Sequence, residues 1–152
     1  MQKNILFVCT GNTCRSPMAE ALFRHRYKDE DIHVKSAGVF AMDGSDASDH
    51  TKAVLEEKGI AMNHRSSQLT DDLVNWASYI LTMTKNHKEL VIHHFPHAKE
   101  KTFTLSEFVS DQNEDITDII DPFGGSVDIY RKTFAELSEK IEKLIIKLKG
   151  IQ

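Results

Sequence analysis

Cysteine is nearly absent from this chain: 152 residues hold two, Cys9 and Cys14, both in one short stretch. A secreted disulfide scaffold would spread several along its length, so that class is set aside. A structural zinc site is disfavoured as well, because it needs four ligands and the neighbourhood of these thiols offers no histidine or further cysteine. Long apolar runs are missing too. The N-terminal region offers only Ile5-Leu6-Phe7-Val8 in succession, too short for a secretory core or a membrane span. A cytoplasmic protein with no membrane partner is the expectation. There is no basic block either: Lys and Arg are interspersed with Asp and Glu and the net charge is -4, so no nucleic-acid partner is expected. Repeats, low-complexity tracts and Pro/Gly-rich linkers are also lacking, which reads as a single domain over 1–152, expected to be a monomer. What is present, 40% apolar and 28% charged residues, is the composition of a globular fold long enough to bury a core.

Ile5–Val8 is a continuous apolar run, the pattern of a strand buried on both faces of a parallel sheet. Ser16 to about Tyr27 predicts a helix, with Ser16 as N-cap and Pro17 at the first position, where a missing N–H costs nothing. Further strands are expected at His33–Gly38, Tyr79–Met83 and Lys101–Leu105. Helices are expected after Asp49 as cap, ending at Gly59, from Thr70-Asp71-Asp72, and from about Ser126 to Lys149. In that last segment Tyr130, Phe134, Leu137, Ile141, Leu144 and Leu148 form one apolar stripe. Alternating strands and helices predict an α/β fold, a parallel sheet covered on both faces. In such sheets ligands bind beyond the carboxyl ends of the strands, and residues 9–16 follow the first strand at that end.

Cys9-Thr10-Gly11-Asn12-Thr13-Cys14-Arg15-Ser16 carries the chemistry. A loop wrapped around an anion turns its N–H groups inward, and Gly11 and Asn12 tolerate the backbone angles this requires. The following helix directs its positive end into the same cup. Arg15 adds a planar fork able to hold two phosphate oxygens. Cysteines at helix N-termini or beside arginine are held as thiolates, so Cys9 reads as an ionised nucleophile forming a phosphocysteine intermediate. Ser16 is placed to hydrogen-bond that sulfur. The bland alternative, a small buried cysteine at a strand end followed by a turn, does not account for Cys, Gly, Arg, Ser and Pro at consistent positions. Phosphoryl transfer to sulfur also needs an acid for the leaving group and a base for water. Asp121, in Asp121-Pro122-Phe123-Gly124-Gly125, is the candidate. By spacing alone the same run is more readily a common loop and turn signature.

The segment Cys9–Glu20, with Ser36-Ala37-Gly38, Asn63-His64 and Asp121-Pro122, resembles the low-molecular-weight protein tyrosine phosphatases over essentially the whole chain. The resemblance implies a three-layer αβα sandwich with a four-stranded parallel sheet, no metal and no cofactor, and phosphorylated proteins as substrates. It implies catalytic roles for Cys9, Arg15 and Asp121 and a phosphate-binding loop of Thr10, Gly11, Asn12, Thr13, Cys14 and Arg15. Support for that loop from Asn12, Ser36 and His64 is likewise implied.

Three departures bear on substrate. Tyrosine-specific members carry a bulky aliphatic residue where Thr13 stands, two aromatics where this chain has Phe123 then Gly124, and Asp where it has Thr84. All three are similar to the bacterial protein-arginine phosphatase branch. A hydroxyl at position 13 suits a polar guanidinium better than an apolar ring edge, so phosphoarginine in proteins is the expected substrate. Phosphotyrosine or aryl phosphate is the alternative. An arsenate reductase would need a relay of further thiols and none exists beyond Cys14; a silent phosphate-binding module would not be expected to retain Cys9, Arg15 and Asp121 together. Cys14 is close enough in sequence to form a reversible disulfide with an oxidised Cys9, or simply packs beneath the loop. His93, His94 and His97 are read as solvated surface, because Pro96 interrupts their helical spacing.

Overall fold

The structure is a computed structural model that describes residues 3–110 and 116–151. Four strands, β1 (Lys3–Cys9), β2 (Ile32–Gly38), β3 (Tyr79–Thr82) and β4 (Thr102–Thr104), form one all-parallel sheet in the order β2-β1-β3-β4. Successive side chains of a strand point to opposite faces, and β1 shows this directly. Ile5, Phe7 and Cys9 enter one apolar cluster, while Leu6 and Val8 enter another.

The first cluster is covered by α1 (Arg15–Arg26), α2 (Asp49–Glu57), α5 (Leu105–Val109) and α6 (Val127–Ile151), the second by α3 (Asp71–Trp76) and α4 (Lys85–His94). The expected three-layer α/β sandwich is therefore the observed one. The α6 stripe lies in the first cluster, with Leu137, Ile141, Leu144 and Leu148 fully buried. β1 has β2 on one side and β3 on the other, so the chain switches direction across the sheet at Cys9, where a crevice opens.

Some local expectations change. α1 begins at Arg15 with Cys14 as its cap residue, not Ser16, because the Ser16 hydroxyl is turned onto Cys9. Ser48, not Asp49, caps α2, accepting from the Thr51 N–H. Gly59 does end that helix region, at φ 69°. Three helical segments were not foreseen: α4, the short 3-10 helix Pro96–Lys101, and α5. Thr84 caps α4, its hydroxyl accepting from the His87 N–H. α4 stops at His94 before Pro96. His93, His94 and His97 are all exposed, as expected of a solvated surface, and His97 packs on Phe95 and lies 3.9 Å from Asp71. No group of three or more metal-ligating side chains occurs, and no helix is long and apolar enough to cross a membrane, among the described residues.

Candidate active site

Residues 9–16 connect β1 to α1 as a cup whose carbonyls face outward. The Cys9 carbonyl accepts from Val39 N–H, Thr10 from Phe40 N–H, and Thr13 from Ser48 N–H and the Thr51 hydroxyl. The Asn12 carbonyl accepts from His64 Nε2 at 2.7 Å and from the Ser66 hydroxyl at 2.8 Å. Among the described residues, no backbone carbonyl accepts from the N–H groups of Thr10 through Ser16. Backbone N–H groups without a carbonyl partner, gathered at a helix N-terminus, make a ready anion site. Asn12 makes the turn possible, with φ at 56°, a left-handed conformation that asparagine tolerates.

The Asn12 side chain locks the cup from beneath. Its Nδ2 donates to Ser16 Oγ at 2.8 Å and Ser36 Oγ at 2.9 Å, and its Oδ1 accepts from Ser67 N–H. Ser36 in turn donates to Glu20 Oε1 at 2.6 Å. Ser16 Oγ accepts from Asn12, and its own proton has two acceptors in reach, Cys9 Sγ at 2.9 Å and the Ala37 carbonyl at 3.5 Å. The nearer of the two is the sulfur, so the chain of donors from Asn12 can end on it. Cys9 is 3% exposed, at the base of a cavity of about 200 Å³ lined by Cys9, Thr10, Gly11, Thr13, Cys14, Arg15, Asp121 and Phe123.

Arg15 is buried, donating to the Ile119 carbonyl at 3.0 Å, with its other terminal nitrogen 3.6 Å from Asp121 Oδ2. The loop carrying Asp121 is pinned upstream: Ile119 N–H donates to the Met83 carbonyl, and Asp118 Oδ1 accepts from Lys85 N–H at the start of α4. Asp121 itself is half exposed, and Phe123 stands at the mouth, 78% exposed. Cys14 lies under the loop, with the Ser48 and Tyr130 hydroxyls each 3.5 Å from its sulfur. Burial, with Cys14 alongside, pushes the Tyr130 phenol up to about 12.

The loop residues singled out from the sequence therefore meet Asp121 and Phe123 around one cavity, with Asn12, Ser16, Ser36 and His64 in the supporting ring, while His93, His94 and His97 lie elsewhere. Sequence reasoning missed Ser66, Ser67 and Asp118, and it missed His87, whose Nε2 lies 2.8 Å from Thr10 Oγ1. Burial, reinforced by the Arg15 charge, pushes the His87 imidazole down to about 4, although Asp121 and Asp118 pull the other way. No local motif marks these residues, since each reaches the loop from a distant element.

The family model for low molecular weight phosphotyrosine protein phosphatases matches residues 4–151. The chain belongs to that family. Like other low-molecular-weight phosphatases it is a cysteine-dependent phosphatase. A protein-arginine-phosphatase of Geobacillus stearothermophilus is 52% identical over 152 residues, covering 100% of both chains. A low-molecular-weight protein-tyrosine-phosphatase, PtpB of Staphylococcus haemolyticus, is 41% identical over 92% of this chain and 96% of its own. The solved structure of a cysteine-to-serine mutant of YwlE arginine phosphatase, with its active-site serine phosphorylated, superimposes with a TM-score of 0.90. It is 47% identical and covers 96% of this chain and 95% of that one.

Proposed function

We propose that this phosphatase removes the phosphoryl group from arginine side chains of cytoplasmic proteins, with Cys9 as nucleophile. The Cys9 thiolate attacks phosphorus, a P–S bond forms and the P–N bond breaks. Asp121 gives its proton to the departing guanidine nitrogen. Arg15 and the loop N–H groups hold the phosphoryl oxygens as charge develops on them. Asp121, now a carboxylate, takes a proton from water as its oxygen attacks the phosphocysteine, and the Ser16 hydroxyl stabilises the departing thiolate. The phosphorylated active-site serine of the YwlE mutant supports an intermediate at the matching position.

The observation that carries the arginine assignment is the cavity wall. Thr13 presents a hydroxyl where an aliphatic branch would suit an aryl ring. Phe123 is followed by Gly124 at φ 80°, where an aromatic would be strained, so one ring and not two flanks the mouth. Asp121, held by Arg15, can also pair with a guanidinium. The alternative, phosphotyrosine, draws support from the PtpB likeness but not from these contacts. Replacing Thr13 by Ile tests the assignment: the ratio of phosphoarginine to phosphotyrosine turnover should fall, and an unchanged ratio would remove Thr13 as its basis.

A further inference from the structure

The chemistry above leaves one buried polar group beside the cavity without a role. His87, on the inner side of α4, is 4% exposed. Its Nδ1 is buried with no partner among the described residues, and its Nε2 lies within hydrogen-bond distance of Thr10 Oγ1. Packing alone does not call for histidine here, since leucine would fill comparable space without desolvating two ring nitrogens. The one hydrogen bond the ring makes is to a side chain that lines the cavity. Thr10 is exposed, whereas Cys9, Asn12, Cys14, Arg15 and Ser16 are buried. Thr10 therefore stands at the rim of the cavity, which a leaving group would pass if the phosphoryl group lay below among the loop amides.

We infer that Thr10 and His87 form a specificity element for a leaving group made only of N–H donors, with Thr10 as the contact and His87 as the positioning residue. This rests on the phosphoarginine reading. A guanidinium offers donors and no acceptor, so a hydroxyl can face it only if its own proton points elsewhere. His87 Nε2, acting as acceptor, takes that proton and leaves both lone pairs of Thr10 Oγ1 for substrate N–H groups. An imidazolium could not do so, because both of its nitrogens donate. The surroundings keep the ring neutral: burial and the Arg15 charge hold it at about 4. A phenol leaving group brings an apolar ring edge to the same wall and gains nothing from an oriented acceptor.

The test compares a phosphoarginine peptide with an aryl phosphate on purified full-length protein, with melting temperatures taken alongside. Thr10→Val and His87→Leu should each lower kcat/KM for phosphoarginine by about tenfold or more beyond whatever they cost on the aryl phosphate, the differential loss expected for a hydrogen bond to a charged group. Because one residue acts through the other, the double variant should lose no more than the worse single one. His87→Gln, whose amide oxygen can accept, should recover part of the loss. Equal losses on both substrates, or losses that multiply in the double variant, would overturn the inference and leave His87 a scaffold residue. A wild type inert toward phosphoarginine would overturn the assignment of substrate and this inference together. Should His87→Leu fail to fold, Thr10→Val and His87→Gln carry the same comparison.

Discussion

Gly38 offers a severe test of how tightly the sheet holds the catalytic loop. It ends β2 and pairs with Cys9 across the sheet. A Cβ there would lie 2.4 Å from the Thr10 carbonyl oxygen, 2.9 Å from Asn12 N and 3.0 Å from Ala41 Cβ. The residue cannot retreat, because its N–H donates to the Ser67 carbonyl and its carbonyl accepts from Leu69 N–H, both at 2.9 Å. The loop must therefore move by ~1 Å to relieve the overlap, and a displacement of that size costs about 10²-fold in rate. Overpacking of this kind adds a stability loss of about 1–3 kcal/mol. Gly38→Ala should thus fold, melt at a lower temperature and lose about 10²-fold in kcat on an aryl phosphate. Near-wild-type kcat with an unchanged melting temperature would refute the claim that β2 fixes the cup.

Asp121→Asn should lower kcat by about 10²–10⁴-fold, most on substrates with poor leaving groups; equal loss for good and poor leaving groups would argue against proton donation. For His87, the unfolded chain takes up a proton near its ordinary 6.5 while the folded ring resists until about 4. Its contribution is therefore complete above 6.5 and is lost as pH falls toward 4, at most roughly 3 kcal/mol. With Arg15, Asp118 and Asp121 still in place around it, His87→Leu should remove that part of the acid destabilisation in denaturant titrations. An identical pH profile in the variant would contradict it. Peroxide should inactivate the wild type reversibly through a Cys9–Cys14 disulfide, whereas Cys14→Ser should not be rescued by added thiol; rescue of the variant would leave Cys14 only its packing role.

What the sequence made legible was local. β1, the loop and the α6 stripe each carry their pattern within a few residues, and all three stand where the pattern put them. α4 was hidden because its inward side is short and partly polar: His87 and Val91 are its buried residues, too few to register as a period. α5, only five residues long, sits below the length at which periodicity speaks. Asp121 was recognisable as part of a turn, but its approach to Arg15 depends on Asp118 binding α4 and Ile119 binding Met83. Such long-range ties leave no local trace. Of the two roles expected of Ser16, cap and partner of the sulfur, the structure keeps only the second. A serine before proline has the chemistry of a helix start, and here that hydroxyl serves the sulfur instead.

The most direct measurement is kcat/KM of the wild-type enzyme on two peptides of one sequence, one bearing phosphoarginine and the other phosphotyrosine, with a Cys9→Ser control. The account predicts faster turnover of the phosphoarginine peptide and no turnover of either by the control. A preference for phosphotyrosine, or hydrolysis that survives loss of the Cys9 sulfur, would contradict it.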